Sequence, residues 1–284
     1  MDKIYKSLRI CGIHLRKMLG NPRFYIAFLW FVFLIYFYVS KVKSFSIETG
    51  IKVSPWLFPL LLNQAGNQLF VIIGALLLFC DAPFINETTA WQMMRAGKRS
   101  WFWGSMLYIS VLSLIYSVGL SVIPNLMLFP RVTWMEDWGQ ILGALAQSSA
   151  ASQLGIINLD YGLMVRFMPW QAMCLKILAV WLNTVLIGEL CYVFNVWLRW
   201  GSGPLAGMMM GLTPYLILRL PNFRVGYYLA PPAWMNLSMY SWNGYGTFPS
   251  PAYIYTTFAV LILGCVIFSY IGIKKKDVIP TEDL

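Results

Sequence analysis

Residues 101–129 read WFWGSMLYISVLSLIYSVGLSVIPNLMLF, a run of 29 without one charged side chain. A helix needs roughly 20 apolar residues to cross a hydrocarbon core of about 30 Å. This run exceeds that length, and in a chain this poor in charge a helix so apolar is read as a membrane span. Pro124 sits near its end, where it is expected to kink the helix or let it run past the bilayer. The rest of the chain agrees. Of 284 residues, 59% are hydrophobic and only 11% charged, against about a quarter charged in an ordinary soluble domain. A soluble enzyme, a secreted disulfide scaffold and a disordered regulator are therefore excluded.

Five further apolar segments flank the first. Together the expected spans are Phe24–Ser40, Trp56–Cys80, Trp101–Phe129, Ala172–Leu198, Gly203–Leu220 and Ala252–Ile273. The expected fold is all-α, a polytopic membrane protein with six transmembrane helices in a single domain over residues 1–284. An even number puts both termini on one side. Lys3, Lys6, Arg9, Arg16, Lys17 and Arg23 precede the first span, Arg95, Lys98 and Arg99 lie between the second and third, and Lys274, Lys275 and Lys276 follow the sixth. The basic density of these short segments exceeds that of the other side, which predicts cytoplasmic N and C termini. The net charge of +10 is then directed at anionic lipid headgroups rather than nucleic acid. A cleaved signal peptide is not expected, because no small-x-small site follows the first apolar run.

Residues 2–19 predict an amphipathic helix lying in the headgroup layer. Ile4, Leu8, Cys11, Leu15 and Met18 recur at helical spacing, with Lys3, Lys6, Arg16 and Lys17 between them. The alternative is a solvated basic leader. Gly20-Asn21-Pro22 ends the helix and turns the chain into the first span.

The loop between spans two and three predicts a short helix within 86–97. Thr89 and Gln92 have the spacing of a capping box, and Gly97 suits the position just past a helix end. Trp91 and Met94, three apart, give it an apolar knob. Two turns are not stable alone in water, so such a helix is expected to dock on a partner; the alternative is an interfacial turn with Trp91 in lipid. On the other side of the membrane, 130–171 and 221–251 are long connections. Trp138, Ile141, Leu142, Leu145 and Ala146 share a helical face after a possible Asp137 cap, and the Pro/aromatic-rich second connection is expected to re-enter the bilayer as broken helix.

Catalytic chemistry is missing from the sequence. There is one histidine, His14, no paired metal ligands, no GxSxG and no phosphate loop; the five scattered cysteines read as buried apolar residues. The chain is not expected to be an enzyme, to hold a metal or to bind a cofactor of its own. Polar groups within the spans are few. Asn63, Gln64, Asn67 and Gln68 would share one face of a continuous second span, either lining a wet pathway or bonding other helices. Lys176 is near enough to a span end to snorkel. Glu189 is deeper, either a pathway residue or a structural partner. Gly203, Gly207 and Gly211, four apart, form a strip for close helix packing, within the subunit or at a moving interface.

This layout resembles the ABC type-2 exporter permeases: an amphipathic elbow helix, six spans, a coupling helix in the first cytoplasmic loop, and broken outer segments before the last span. The segment Asn86-Glu87-Thr88-Thr89 through Arg95-Ala-Gly-Lys-Arg-Ser100 is similar to that family's coupling segment, with Thr88 where a glycine is common. Leu229-Ala-Pro-Pro-Ala-Trp234 is similar to a Ser-Pro-x-x-Trp element in bacterial members. The resemblance implies a permease subunit in a bacterial plasma membrane, paired with a second permease subunit, identical or a sister. Two copies of a separate ABC ATPase would bind ATP and Mg. Glu87, Thr88, Thr89, Trp91, Gln92, Met94 and Arg95 would form the coupling surface. A non-transporting membrane scaffold or immunity-type protein of the same fold is the alternative.

Overall fold

The computed structural model describes residues 2–85, 88–148, 159–219, 224–242 and 246–275. Among them the chain is helical, with one isolated parallel bridge, Val53 to Val132, in place of any strand. Four helices are long and apolar enough to cross a membrane: α2 (Pro22–Thr49), α6 (Lys98–Leu128), α9 (Pro169–Trp197) and α11 (Pro251–Lys275). This is a multi-pass membrane protein by length and composition. The helices α6 and α9 are central, with more than half of their apolar stretch buried; α2 and α11 are peripheral and turn most of theirs outward.

The expected second and fifth spans are not among the four. Span two is broken: α3 (Phe58–Leu61) is followed by a turn at residues 62–64 and then α4 (Ala65–Phe79). Fifteen residues make about 22 Å of helix, short of the hydrocarbon core. The fifth is α10 (Ser202–Arg219), diluted by three glycines and two prolines, Pro204 and Pro214. The first span is longer than expected and continues to Thr49, past Lys41 and Lys43, before Gly50 closes it at φ 71°. The lysines do not stop the helix because they lie at its end. Lys43 Nζ donates to the carbonyls of Met127 (3.1 Å) and Phe129 (2.9 Å), the negative end of α6.

Residues 2–19 form a single helix, α1 (Asp2–Leu19), ended at Gly20-Asn21-Pro22. Asn21 accepts a bond from the Arg23 backbone N–H and Pro22 opens α2. The buried face differs from the expected stripe. Ser7, Ile10, Cys11, His14 and Met18 are buried, whereas Ile4 and Leu8 are 70% and 56% exposed. The stripe is displaced because α1 packs closely on α6: a Cβ on Gly104 would stand 2.7 Å from Ile10 Cβ. Ser7 Oγ donates to the Ser100 carbonyl at that crossing. Ile4, Tyr5 and Leu8 remain as a second, outward apolar face.

At the opposite end the described parts of the two long connections pack against the bundle. In the first, α7 (Gly139–Gln147) buries Ile141, Leu142 and Leu145 as the spacing predicts. Asp137 is not its cap: Trp138 holds the N-cap position and makes no side-chain cap bond. A further turn, α8 (Tyr161–Arg166), is capped by Asp160, which accepts from Gly162 N. The second connection forms 3₁₀ turns at Arg224–Tyr228, Pro231–Met235 and Leu237–Met239. Pro231 to Met235 are all buried, and Trp234 Nε1 donates to the Tyr227 carbonyl at 2.7 Å. The Pro231–Met235 turn is thus buried in protein rather than exposed to lipid.

Candidate functional site

The short helix expected between spans two and three is α5 (Thr89–Ala96), eight residues. Gly97 ends it at φ 85°, a value glycine adopts without strain, and Gly97 N donates to the Met93 carbonyl. The next residue begins α6, so a one-residue joint connects α5 to a 31-residue helix. The start differs from the expected capping box. Thr88, not Thr89, occupies the N-cap; Thr89 is buried, 1% exposed, in the first turn. Gln92 Nε2 reaches back to Thr88 Oγ1 at 3.2 Å, and Lys17 Nζ from α1 reaches the same oxygen at 2.9 Å. Glu87 and Asn86 lie outside the described residues, as does Lys276.

Trp91 is 63% exposed and Met94 69%. Each is a large apolar side chain on a helix end of the bundle, outside any core. Thr88, Trp91, Gln92 and Arg95 recur at one face and, with Lys6 and Arg9 of α1, line a cleft of about 380 Å³ floored by Ile10 and Ile13. The apolar knob thus stands beside a basic cleft on a helix joined to α6 through one residue.

The membrane amides do not share one helical face. Gln64 is exposed at the break between α3 and α4, and Asn63 lies in the turn itself. Asn67 Nδ2 donates back to the Leu61 carbonyl, and Gln68 Nε2 to Leu62 O at 3.0 Å. These two side chains satisfy carbonyls that the break would orphan. The break therefore uses them structurally.

Lys176, expected to snorkel, is instead fully buried at 0% exposure. Its Nζ donates to the Met235 carbonyl (2.8 Å) and to Asn63 Oδ1 (3.3 Å). Asn236 Nδ2 donates to the Asn63 carbonyl at 3.0 Å. One side chain on α9 thus ties the helix break to the 3₁₀ turns. Asn195, near the other end of α9, makes a second tie. Its Nδ2 donates to Cys80 O and Ala82 O, while its Oδ1 accepts from Gly201 N and Gly203 N. Neither role was readable from spacing, because the partners lie up to 115 residues away.

Glu189 is 2% exposed, beside Tyr192 and Cys265, and its Oε2 has no hydrogen-bond partner. The glycine strip faces the inside of the subunit. A Cβ at Gly203 would meet Cys191 O at 2.4 Å, one at Gly207 would meet Leu76 Cδ2 at 2.6 Å, and one at Gly211 Ile72 Cγ2 at 3.0 Å. No group of three metal-ligating side chains occurs among the described residues. Compared with known proteins, the chain matches no family model, no curated protein and no solved structure.

Proposed function

We propose that this chain is the membrane permease subunit of an ATP-driven ABC exporter, coupled through α5 to a separate ATPase. The observation that carries the reading is α5 itself: a two-turn helix, exposed at Trp91 and Met94, joined through Gly97 to α6. A helix of this length has little stability of its own, and in this reading its exposed apolar residues are covered by the partner. In this reading the nucleotide site belongs to two ATPase copies holding ATP and Mg. Movement of those copies would tilt α5 and α6 as a unit, switching a pathway formed with a second permease subunit between inward and outward access. In this reading the chain crosses a bacterial plasma membrane six times, α3 with α4 and α10 supplying the two shorter passes. Both termini are cytoplasmic, α1 is the elbow helix and the turns at 224–239 re-enter from outside.

The second reading, a non-transporting scaffold or immunity-type membrane protein, is favoured by one observation. The amides Asn67 and Gln68 are engaged in closing a helix break rather than lining a pathway. Purification of the full chain with an ABC ATPase separates the two. A stable complex with two ATPase copies supports the exporter. No association, or labelling of a Trp91→Cys variant from outside intact cells, overturns it.

A further inference from the structure

The cleft of about 380 Å³ between α1 and α5 gathers three cations. Lys6 and Arg9 line it from α1 and Arg95 from α5, over Ile10, Ile13 and Ala96. Among the described residues the side chains of these three make no ion pair and no hydrogen bond; the one ion pair there joins Arg23 to Asp81, outside the cleft. No carboxylate occurs among the described residues of the lining. Like charges that converge without a counter-charge repel one another, so the cleft is complementary to an anion. Arg9 and Arg95 are both exposed, and a ligand can reach either wall.

We propose that the cleft between α1 and α5 binds the phosphate of an anionic phospholipid headgroup. The depth favours a lipid. Ser7 Oγ donates to the Ser100 carbonyl, and Ile10 fills the space at Gly104, so the cleft lies beside the first turns of α6. Lys98 and Arg99, at the start of α6, line one pocket with Lys274 at the end of α11. The ends of two spanning helices and their basic residues therefore mark this level, where headgroups surround a membrane protein. Lipid phosphate is abundant there at all times, whereas an acidic protein segment must be recruited. The chemistry fits as well. Each guanidinium presents a planar fork of N–H donors matched to phosphate oxygens, and Lys6 adds a point charge. Trp91, 63% exposed on the lining, offers the glycerol backbone an apolar edge. The quaternary amine of a zwitterionic headgroup would meet three cations and no carboxylate, which selects against it. The inference rests on the membrane location of the chain and not on an ATPase partner.

The full chain in neutral detergent is mixed with dioleoyl phosphatidylglycerol or dioleoyl phosphatidylcholine, and bound lipids are counted by native mass spectrometry. The expected result is one tightly retained phosphatidylglycerol per chain. Its affinity should fall about fivefold in Arg9→Gln and in Arg95→Gln. It should be unchanged in Arg16→Gln, which removes the same charge from α1 outside the lining. All three side chains are exposed, so the variants report on binding rather than folding. Equal retention of phosphatidylcholine means nonspecific lipid packing and overturns the proposal. An equal loss in Arg16→Gln assigns the effect to the overall charge of the chain and overturns it too. So does displacement of the lipid by an equal concentration of inorganic phosphate, which gives the cleft to a free anion. No retained phosphatidylglycerol, with or without Arg9- and Arg95-dependent binding of a polyglutamate peptide, overturns it as well.

Discussion

Lys176 Nζ and Asn63 Oδ1, 113 positions apart, meet at 3.3 Å inside the bundle. The ammonium has no carboxylate partner among the described residues; it is held by this amide oxygen and the Met235 carbonyl. A buried charge of this kind is tolerated only where dipoles replace its water. The same contact closes the gap left by the interrupted second span, so the charge and the break are two sides of one arrangement. Lys176→Met leaves both acceptors unpaired, and Asn63→Leu leaves the ammonium a single bond. In water such charged bonds contribute about 1.5–3 kcal/mol, but membrane double-mutant cycles average about 0.6 and reach about 1.7. We therefore expect a coupling of about 0.6–1.7 kcal/mol between Lys176→Met and Asn63→Leu, read from unfolding in detergent of the four proteins of the cycle. Additive single effects would show that the pair is not coupled.

The glycine strip gives a steric prediction with an internal control. A Cβ at Gly203 would lie 2.4 Å from a backbone oxygen and 2.6 Å from Cys191 Cα. Backbone cannot swing aside as a side-chain tip can, so α9 and α10 must separate. Gly203→Ala is expected to destabilise by about 1–3 kcal/mol, visible as a lower thermal midpoint. Gly264, within α11, has nothing within 4 Å of its built Cβ. Gly264→Ala is expected to be neutral or stabilising by up to about 1 kcal/mol, since alanine is the better helix former. Equal losses at the two sites would contradict the packing described.

The elements that were legible in the sequence are those whose cause is local. The apolar run at 101–129 becomes α6, Gly20-Asn21-Pro22 separates α1 from α2, and Gly97 ends α5. Each depends on hydropathy or a backbone preference over a few residues. The features that escaped depend on distant partners. The face that α1 buries is set by Gly104 admitting Ile10, not by its own periodicity. A continuous helix was the local reading at 56–80, because nothing nearby reveals that Lys176 and Asn236 will hold Asn63 in a turn. At the candidate site Trp91 and Met94 are exposed because α5 turns its other face, with Thr89 and Met93, to the bundle. The cleft beside it exists only once α1 has docked.

His14 makes stability depend on pH. Burial, reinforced by Lys17, lowers its pKa from 6.5 to about 4. The folded state therefore favours the neutral imidazole, and between pH 4 and 6.5 the unfolded chain binds more protons. Stability rises with pH through that window and is flat above it. A shift of this size corresponds to about 3 kcal/mol across the window. Unfolding midpoints measured in neutral detergent from pH 4 to 8 should show the slope, and His14→Gln should remove it. A slope unchanged in that variant would place its origin elsewhere.

Trp91 and Met94 separate folding from partnership. Both side chains are mostly exposed, so truncating them removes little packing, and substitutions at such positions usually change stability by less than about 0.5 kcal/mol. If α5 is the ATPase contact, the same truncations remove the apolar centre of an interface. A buried aromatic anchor typically contributes about 2 kcal/mol or more, roughly thirtyfold in affinity. Trp91→Ala is expected to insert and fold normally yet lose most of its ATPase association, and Met94→Ala to lose less because it offers a smaller surface. Substrate-stimulated ATP hydrolysis in the reconstituted complex should fall in the same order. A Trp91→Ala protein that binds and stimulates the ATPase like the wild type would move the contact away from α5, leaving the exposed indole to the membrane interface.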